Sequence, residues 1–123
     1  MYKASIMQHF DAAHCLRGYP GRCENLHGHR WQVAVEVAAE ELDPLGLSYD
    51  FTRLKAILKY VLNRYDHANL NEVPPFDAIN PTAENIARTI FEQCEKELKG
   101  ESVNLQSVTV WESPDAWVTY RSS

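Results

Sequence analysis

The sequence predicts an α+β fold with the order β-β-α-α-β-β. Three observations carry that expectation. Apolar residues alternate at period two near both ends of the chain, they recur at spacings of three and four in the middle, and turn-forming residues sit where the period changes. Strands grouped apart from helices pair antiparallel, so the expected unit is a four-stranded antiparallel sheet covered on one side by two helices. The chain has 123 residues, a single domain's length, with no repeat, low-complexity stretch or linker, so residues 1–123 are read as one domain.

Residues 2–14 roughly alternate and form the first predicted strand. Gly18, Pro20, Gly21 and Gly28 mark 15–28 as a long loop. Trp31, Val33, Val35 and Val37 share one face of a second strand from about 29 to 39, and Asp43-Pro44-Leu45-Gly46 is turn chemistry. The period then changes. Phe51, Leu54, Leu58, Val61 and Tyr65 give an amphipathic helix, widened by Ile57 and Leu62, with Asp50 as N-cap. Pro74-Pro75 and several Asn and Asp make 66–80 a loop. A second helix begins near Pro81-Thr82, with proline in the first turn. Ile86, Ile90, Phe91, Cys94 and Leu98 form its stripe, and Gly100 follows its end. Val103–Glu112 and Trp117–Arg121 are two more strands around Ser113-Pro114-Asp115. A sheet covered on one side leaves a face and two edges open, and neither Ala34 nor Ala38 is polar, so a homo-oligomer is expected.

Composition narrows the function. With 45% hydrophobic and 24% charged residues the chain belongs with ordered globular proteins rather than disordered ones. Twelve Lys and Arg against 17 Asp and Glu give a net charge of -5, which disfavours nucleic acid and anionic membrane as partners. A small anionic substrate held by a local basic pocket or a metal remains compatible with that balance. The longest apolar stretches fall far short of the ~20 residues a membrane span needs. Met1-Tyr2-Lys3-Ala4-Ser5 lacks a signal peptide's apolar region. Three cysteines, at 15, 23 and 94 and without a C-x-x-C pair, read as reduced thiols, so a soluble cytoplasmic protein is expected.

The histidines carry the chemistry. His27-Gly28-His29 puts two imidazoles on one face of an extended segment, with Gly28 allowing a bend or a close approach. If the first two strands pair antiparallel, His14 at the end of one reaches the start of the other. Three neutral imidazoles suit zinc and leave a fourth position for water or substrate. Cys23, four residues before His27, admits three readings: a small buried hydrophobe, a fourth ligand closing a structural site, or a thiolate acting as base or nucleophile. Asp66-His67 reads either as an imidazole at a helix C-terminus or as an acid/base pair whose contact needs loop geometry or a third group. Glu112 lies on the inward face with Val108 and Val110, where it meets a cation or accepts two hydrogen bonds from an amidine-like ligand edge. His9, Cys15 and Cys94 are assigned to structure.

Phe10-x-Ala12-Ala13-His14, Cys23-x-x-x-His27-Gly28-His29, Asp66-His67-x-x-Leu70-Asn71, Pro81-Thr82-Ala83-Glu84-Asn85 and the late Glu112 occur in order. Together, over nearly the whole chain, they resemble the 6-pyruvoyl-tetrahydropterin synthase / 6-carboxytetrahydropterin synthase family. That resemblance implies the tunnelling fold, in which ββααββ protomers join their sheets into a barrel as trimers, often stacked as hexamers, with active sites between subunits. It implies zinc on His14, His27 and His29, Cys23 as catalytic thiol, and Asp66 and His67 as the catalytic pair. Glu112 would anchor the pterin, and Thr82 and Glu84 would support the pterin pocket. The implied substrate is 7,8-dihydroneopterin triphosphate.

The C-x-x-x-H-G-H spacing resembles the branch forming 6-carboxytetrahydropterin for queuosine-type deazapurines, and disfavours the pyruvoyl-forming branch with its longer gap. Glu24 also satisfies E-x-x-H-G-H, the pattern of a folate branch that cleaves the dihydroneopterin side chain to 6-hydroxymethyl-dihydropterin. A reading of another class is a non-catalytic zinc-stabilised oligomer, in which Cys23 closes the site and Asp66, His67 and Glu112 need no relation to the metal.

Overall fold

The computed structural model describes residues 1–21 and 24–122. β1 (Tyr2–His14) and β2 (His27–Ala39) pair antiparallel along their whole length, from Tyr2 opposite Ala39 to His14 opposite His27. α1 (Phe51–Leu62) and α2 (Ala83–Glu97) follow, then β4 (Asn104–Ser113) and β5 (Ala116–Tyr120), which complete the antiparallel part of the sheet. The expected α+β order holds, with one addition. β3 (Ala68–Asn69) lies parallel to β1, making a five-stranded mixed sheet in the order β3-β1-β2-β4-β5. Two residues have no periodicity to read, so the segment was invisible in the sequence pattern.

The alternation that predicted the strands also builds the core. Phe10, Trp31, Val33, Val35, Val37, Val108 and Val110 turn to one face and are buried. α1 covers them with Leu54, Leu58, Val61 and Leu62, and α2 with Ile86, Ala87, Ile90, Phe91 and Cys94. Trp31 is wholly buried and stacks on Phe10 with 6.1 Å between centroids. An aromatic side chain in that position stabilises the fold by roughly 2–3 kcal/mol relative to exposure.

The helix starts obey capping chemistry. The Asp50 carboxylate accepts from Thr52 N at 2.8 Å, and Thr82 Oγ1 accepts from Asn85 N at 3.1 Å. Thr82 is therefore the N-cap of α2, and Pro81 stands before the helix rather than in its first turn. α1 ends at Leu62, yet Tyr65 beyond it is still buried. β2 begins two residues earlier than its apolar pattern suggested, because the ladder with β1 runs on to His27. No helix among the described residues is long and apolar enough to cross a membrane.

Candidate metal centre

The β1–β2 register brings the three histidines together. His14 lies opposite His27, Ala12 opposite His29, and alternation puts all three imidazoles on the core face beyond Trp31. Ring centroids are 4.6 Å apart for His14–His27, 4.8 Å for His27–His29 and 5.2 Å for His14–His29. Glu112 joins from β4, on the face of Val108 and Val110. One ligand atom from each of His14, His27, His29 and Glu112 lies within 4.8 Å of every other.

Backbone carbonyls set the ring orientations. His14 Nδ1 is 2.8 Å from Pro81 O, and His27 Nδ1 is 2.6 Å from Asn25 O. A carbonyl oxygen only accepts, so each of these Nδ1 atoms carries a proton, which leaves Nε2 as the ring atom able to ligate. Burial holds the His14 imidazole below its ordinary pKa, with the Pro81 carbonyl pulling the other way and His27 adding to the depression. Burial does the same to His29, opposed by the Glu112 carboxylate.

Two buried ring nitrogens, His14 Nε2 and His29 Nε2, have no hydrogen-bond partner among the described residues. Glu112 Oε1 lies 3.2 Å from the first and 3.6 Å from the second, near in distance but outside hydrogen-bonding geometry. A buried lone pair facing a carboxylate oxygen is unfavourable until a cation or proton lies between them. The residues thus fit a divalent metal: neutral imidazole donors, a carboxylate, and outer hydrogen bonds that fix the tautomer.

Beside the centre lies a cavity of about 390 Å³, lined by His14, Tyr19, Thr82, Glu84, Trp117 and Glu112 among others. Tyr19 and Trp117 are exposed aromatic surfaces there. Gly28, by contrast, stands in the regular ladder opposite Ala13, and a Cβ on it would meet nothing among the described residues within 4 Å. Neither the bend nor the close approach that Gly28 allows occurs among the described residues.

Asp66 and His67 are elsewhere. His67 N donates to Asp11 O at 2.6 Å and Asp11 N donates to Asp66 Oδ1 at 2.9 Å, which docks the segment after α1 along β1 and leads into β3. His67 adopts φ 59, a left-handed conformation uncommon outside glycine, and this brings its Nε2 to 3.7 Å from Asp66 Oδ2. The contact between adjacent residues therefore has the loop geometry it required. Asp11 gathers with both, and its carboxylate pairs with Arg30, whose guanidinium holds it below the usual carboxylate range. Asp11 and Arg30 alternate away from the core, so this second group lies on the opposite sheet face from the histidine centre. One chain does not bring the two groups together.

Glu24 is exposed, and Cys23 lies outside the described residues. His9 is exposed on the outer face, and Cys15 is half-buried with its backbone N–H and C=O both bonded to the Asn71 side-chain amide. Cys94 is buried in the core. Sequence reasoning missed Pro81 O and Asn25 O, because every residue has a carbonyl and nothing in a side-chain pattern marks the ones in use.

The family model described as 6-pyruvoyl tetrahydropterin synthase matches residues 3–123. The chain belongs to the 6-pyruvoyl tetrahydropterin synthase family. A Haemophilus influenzae relative, named 6-carboxy-5,6,7,8-tetrahydropterin synthase, is 32% identical, covering 98% of this chain and 99% of that protein. A Pyrococcus furiosus relative, named dihydroneopterin monophosphate aldolase, is 38% identical, covering 91% of this chain and 87% of that protein. The solved structure of Caenorhabditis elegans 6-pyruvoyl tetrahydropterin synthase superposes with a TM-score of 0.89 at 32% identity, covering 99% of this chain and 96% of that one. The protomer has the tunnelling fold of this family.

Proposed function

We propose that the chain is a zinc-dependent lyase of queuosine-type deazapurine synthesis, acting in the cytoplasm as one domain over 1–123. It converts 7,8-dihydroneopterin triphosphate and water to 6-carboxy-5,6,7,8-tetrahydropterin, acetaldehyde and triphosphate. The observation that carries this reading is the histidine centre itself, with His14 and His27 held by backbone carbonyls and with His14 and Glu112 lining the cavity beside it. The C-x-x-x-H-G-H spacing and the name of the Haemophilus influenzae relative support the carboxy-forming branch.

Zinc bound by His14, His27 and His29 supplies Lewis acidity toward the hydroxyls of the substrate side chain. Glu112 accepts hydrogen bonds from the pterin's amino-pyrimidine edge and fixes the ring, with Thr82 supporting the pocket wall. Cys23, as thiolate, moves a proton at the side-chain carbon. His67, oriented by Asp66, handles a second proton. Because Asp66 and His67 lie on the opposite sheet face from their own histidine centre, a neighbouring copy supplies them in this reading. The open sheet face and edges suit a homo-oligomer, trimer or hexamer, with sites between subunits.

A second reading has its own support. Glu24 stands three residues before His27, and the Pyrococcus furiosus relative is named an aldolase. With Glu24 as the acid/base group, the side chain of a dihydroneopterin species would be cleaved to 6-hydroxymethyl-dihydropterin. Cys23→Ala and Glu24→Gln, each assayed for bound zinc and for turnover, separate the readings. The carboxy-forming lyase requires that Cys23→Ala keep zinc and lose turnover while Glu24→Gln keeps both. Loss of turnover in Glu24→Gln alone establishes the aldolase, and loss of zinc in Cys23→Ala makes the thiol a ligand of a closed, non-catalytic site.

A further inference from the structure

Glu112 is asked to do two things. As the expected pterin anchor it faces the cavity, yet its Oε1 lies 3.2 Å from His14 Nε2 and 3.6 Å from His29 Nε2. A tetrahedral metal with bonds of roughly 2.0–2.1 Å has ligand-to-ligand edges of about 3.3–3.4 Å. The two separations bracket that edge, so relative to His14 and His29 the carboxylate oxygen stands at the spacing of a further ligand.

The ligands differ in how they are held. His14 and His27 are fixed by carbonyls at 2.8 and 2.6 Å. No hydrogen bond among the described residues holds the Glu112 side chain, which is 36% exposed. It also falls where the β4–β5 register shifts between Trp111 and Ser113, an irregularity of the kind that re-aims a side chain. Three histidines are anchored in the β1–β2 ladder, and the fourth donor is an untethered carboxylate bordering the cavity of about 390 Å³.

We propose that Glu112 is an exchangeable fourth ligand, closing the metal in the substrate-free protein and leaving it when the pterin ring takes the carboxylate. The open coordination position is then created by ring binding, which keeps a Lewis-acidic site from acting on water or on molecules without the amidine edge. This rests on the metal reading above and adds to it a coupling between ring recognition and coordination.

The test uses the cobalt(II)-loaded protein and 6-methyl-7,8-dihydropterin, a probe that carries the ring but no side-chain hydroxyl able to ligate. Adding it to the wild type is expected to shift the visible d–d band as Glu112 leaves. In Glu112→Gln the band is expected to be shifted already, with cobalt bound about 100-fold more weakly. Ring binding to the wild type, followed by pterin fluorescence, with an unchanged band would overturn the exchange, and this arm needs no variant. A Glu112→Gln protein with the wild-type band and affinity would overturn the ligation. Either result leaves the histidine centre standing. If the wild type takes up no stoichiometric cobalt, or uptake is indifferent to His14→Ala, the metal reading itself fails and the exchange with it.

Discussion

His14→Ala is the substitution whose consequences follow most directly from the geometry. His14 is 1% exposed, its Nδ1 is 2.8 Å from the buried Pro81 carbonyl, and its Nε2 has no hydrogen-bond partner among the described residues. Zinc held by four donors in small peptides is bound by about 10–16 kcal/mol, so one ligand accounts for roughly 3 kcal/mol. At 1.4 kcal/mol per tenfold, that is about a 100-fold loss of zinc affinity. The substitution also strips the Pro81 carbonyl of its donor, costing the metal-free fold about 1–3 kcal/mol. Zinc affinity is read by competition with a chromophoric chelator, and folding by circular dichroism without metal. His9→Ala serves as control, because His9 is exposed on the outer face. Zinc affinity in folded His14→Ala within threefold of wild type would refute the placement of the metal.

Other consequences are measurable. Burial lowers the folded-state pKa of His14 and His29 below 6.5, so between those lowered values and 6.5 the unfolded chain binds more protons and stability rises with pH. Metal-free protein is therefore expected to have full stability from these groups above pH 6.5 and to lose it on acidification. The fall in Tm between pH 7 and 5 should shrink in His14→Gln, and an equal fall in both proteins contradicts the assignment. Burial pushes the Cys94 thiol up to about 12, so iodoacetamide at pH 8 should alkylate it only after guanidinium unfolding. Native labelling of Cys94 at the rate of a free thiol, detected by peptide mass spectrometry, counts against its burial. Thr82→Ala removes the cap of α2 and is expected to cost about 1 kcal/mol, while Thr82→Ser restores it. Because Pro81 adjoins that cap and orients His14, zinc affinity should fall a few-fold in the alanine variant and recover in the serine variant. Unchanged affinity would separate the cap from the centre.

Legibility in the sequence depended on what kind of signal each part leaves. Antiparallel pairing of two long alternating strands was enough to put His14 beside His27 and His29, and face alternation placed Glu112 with Val108 and Val110. Local chemistry marked Asp50 and Thr82 at the helix starts. The rest depends on backbone conformation or tertiary placement, which side-chain patterns do not encode. The carbonyls of Pro81 and Asn25, the left-handed φ of His67 and the two-residue β3 leave no trace in periodicity. Nor did Glu112's inward face reveal that its carboxylate would approach the imidazoles.

The most direct test of the functional account is to give the zinc-loaded protein 7,8-dihydroneopterin triphosphate and identify the products by mass spectrometry. 6-Carboxytetrahydropterin with acetaldehyde is the expected result. Hydroxymethyl-dihydropterin with a two-carbon aldehyde would contradict it in favour of Glu24 chemistry, and no turnover with zinc fully bound would contradict the lyase reading for this substrate.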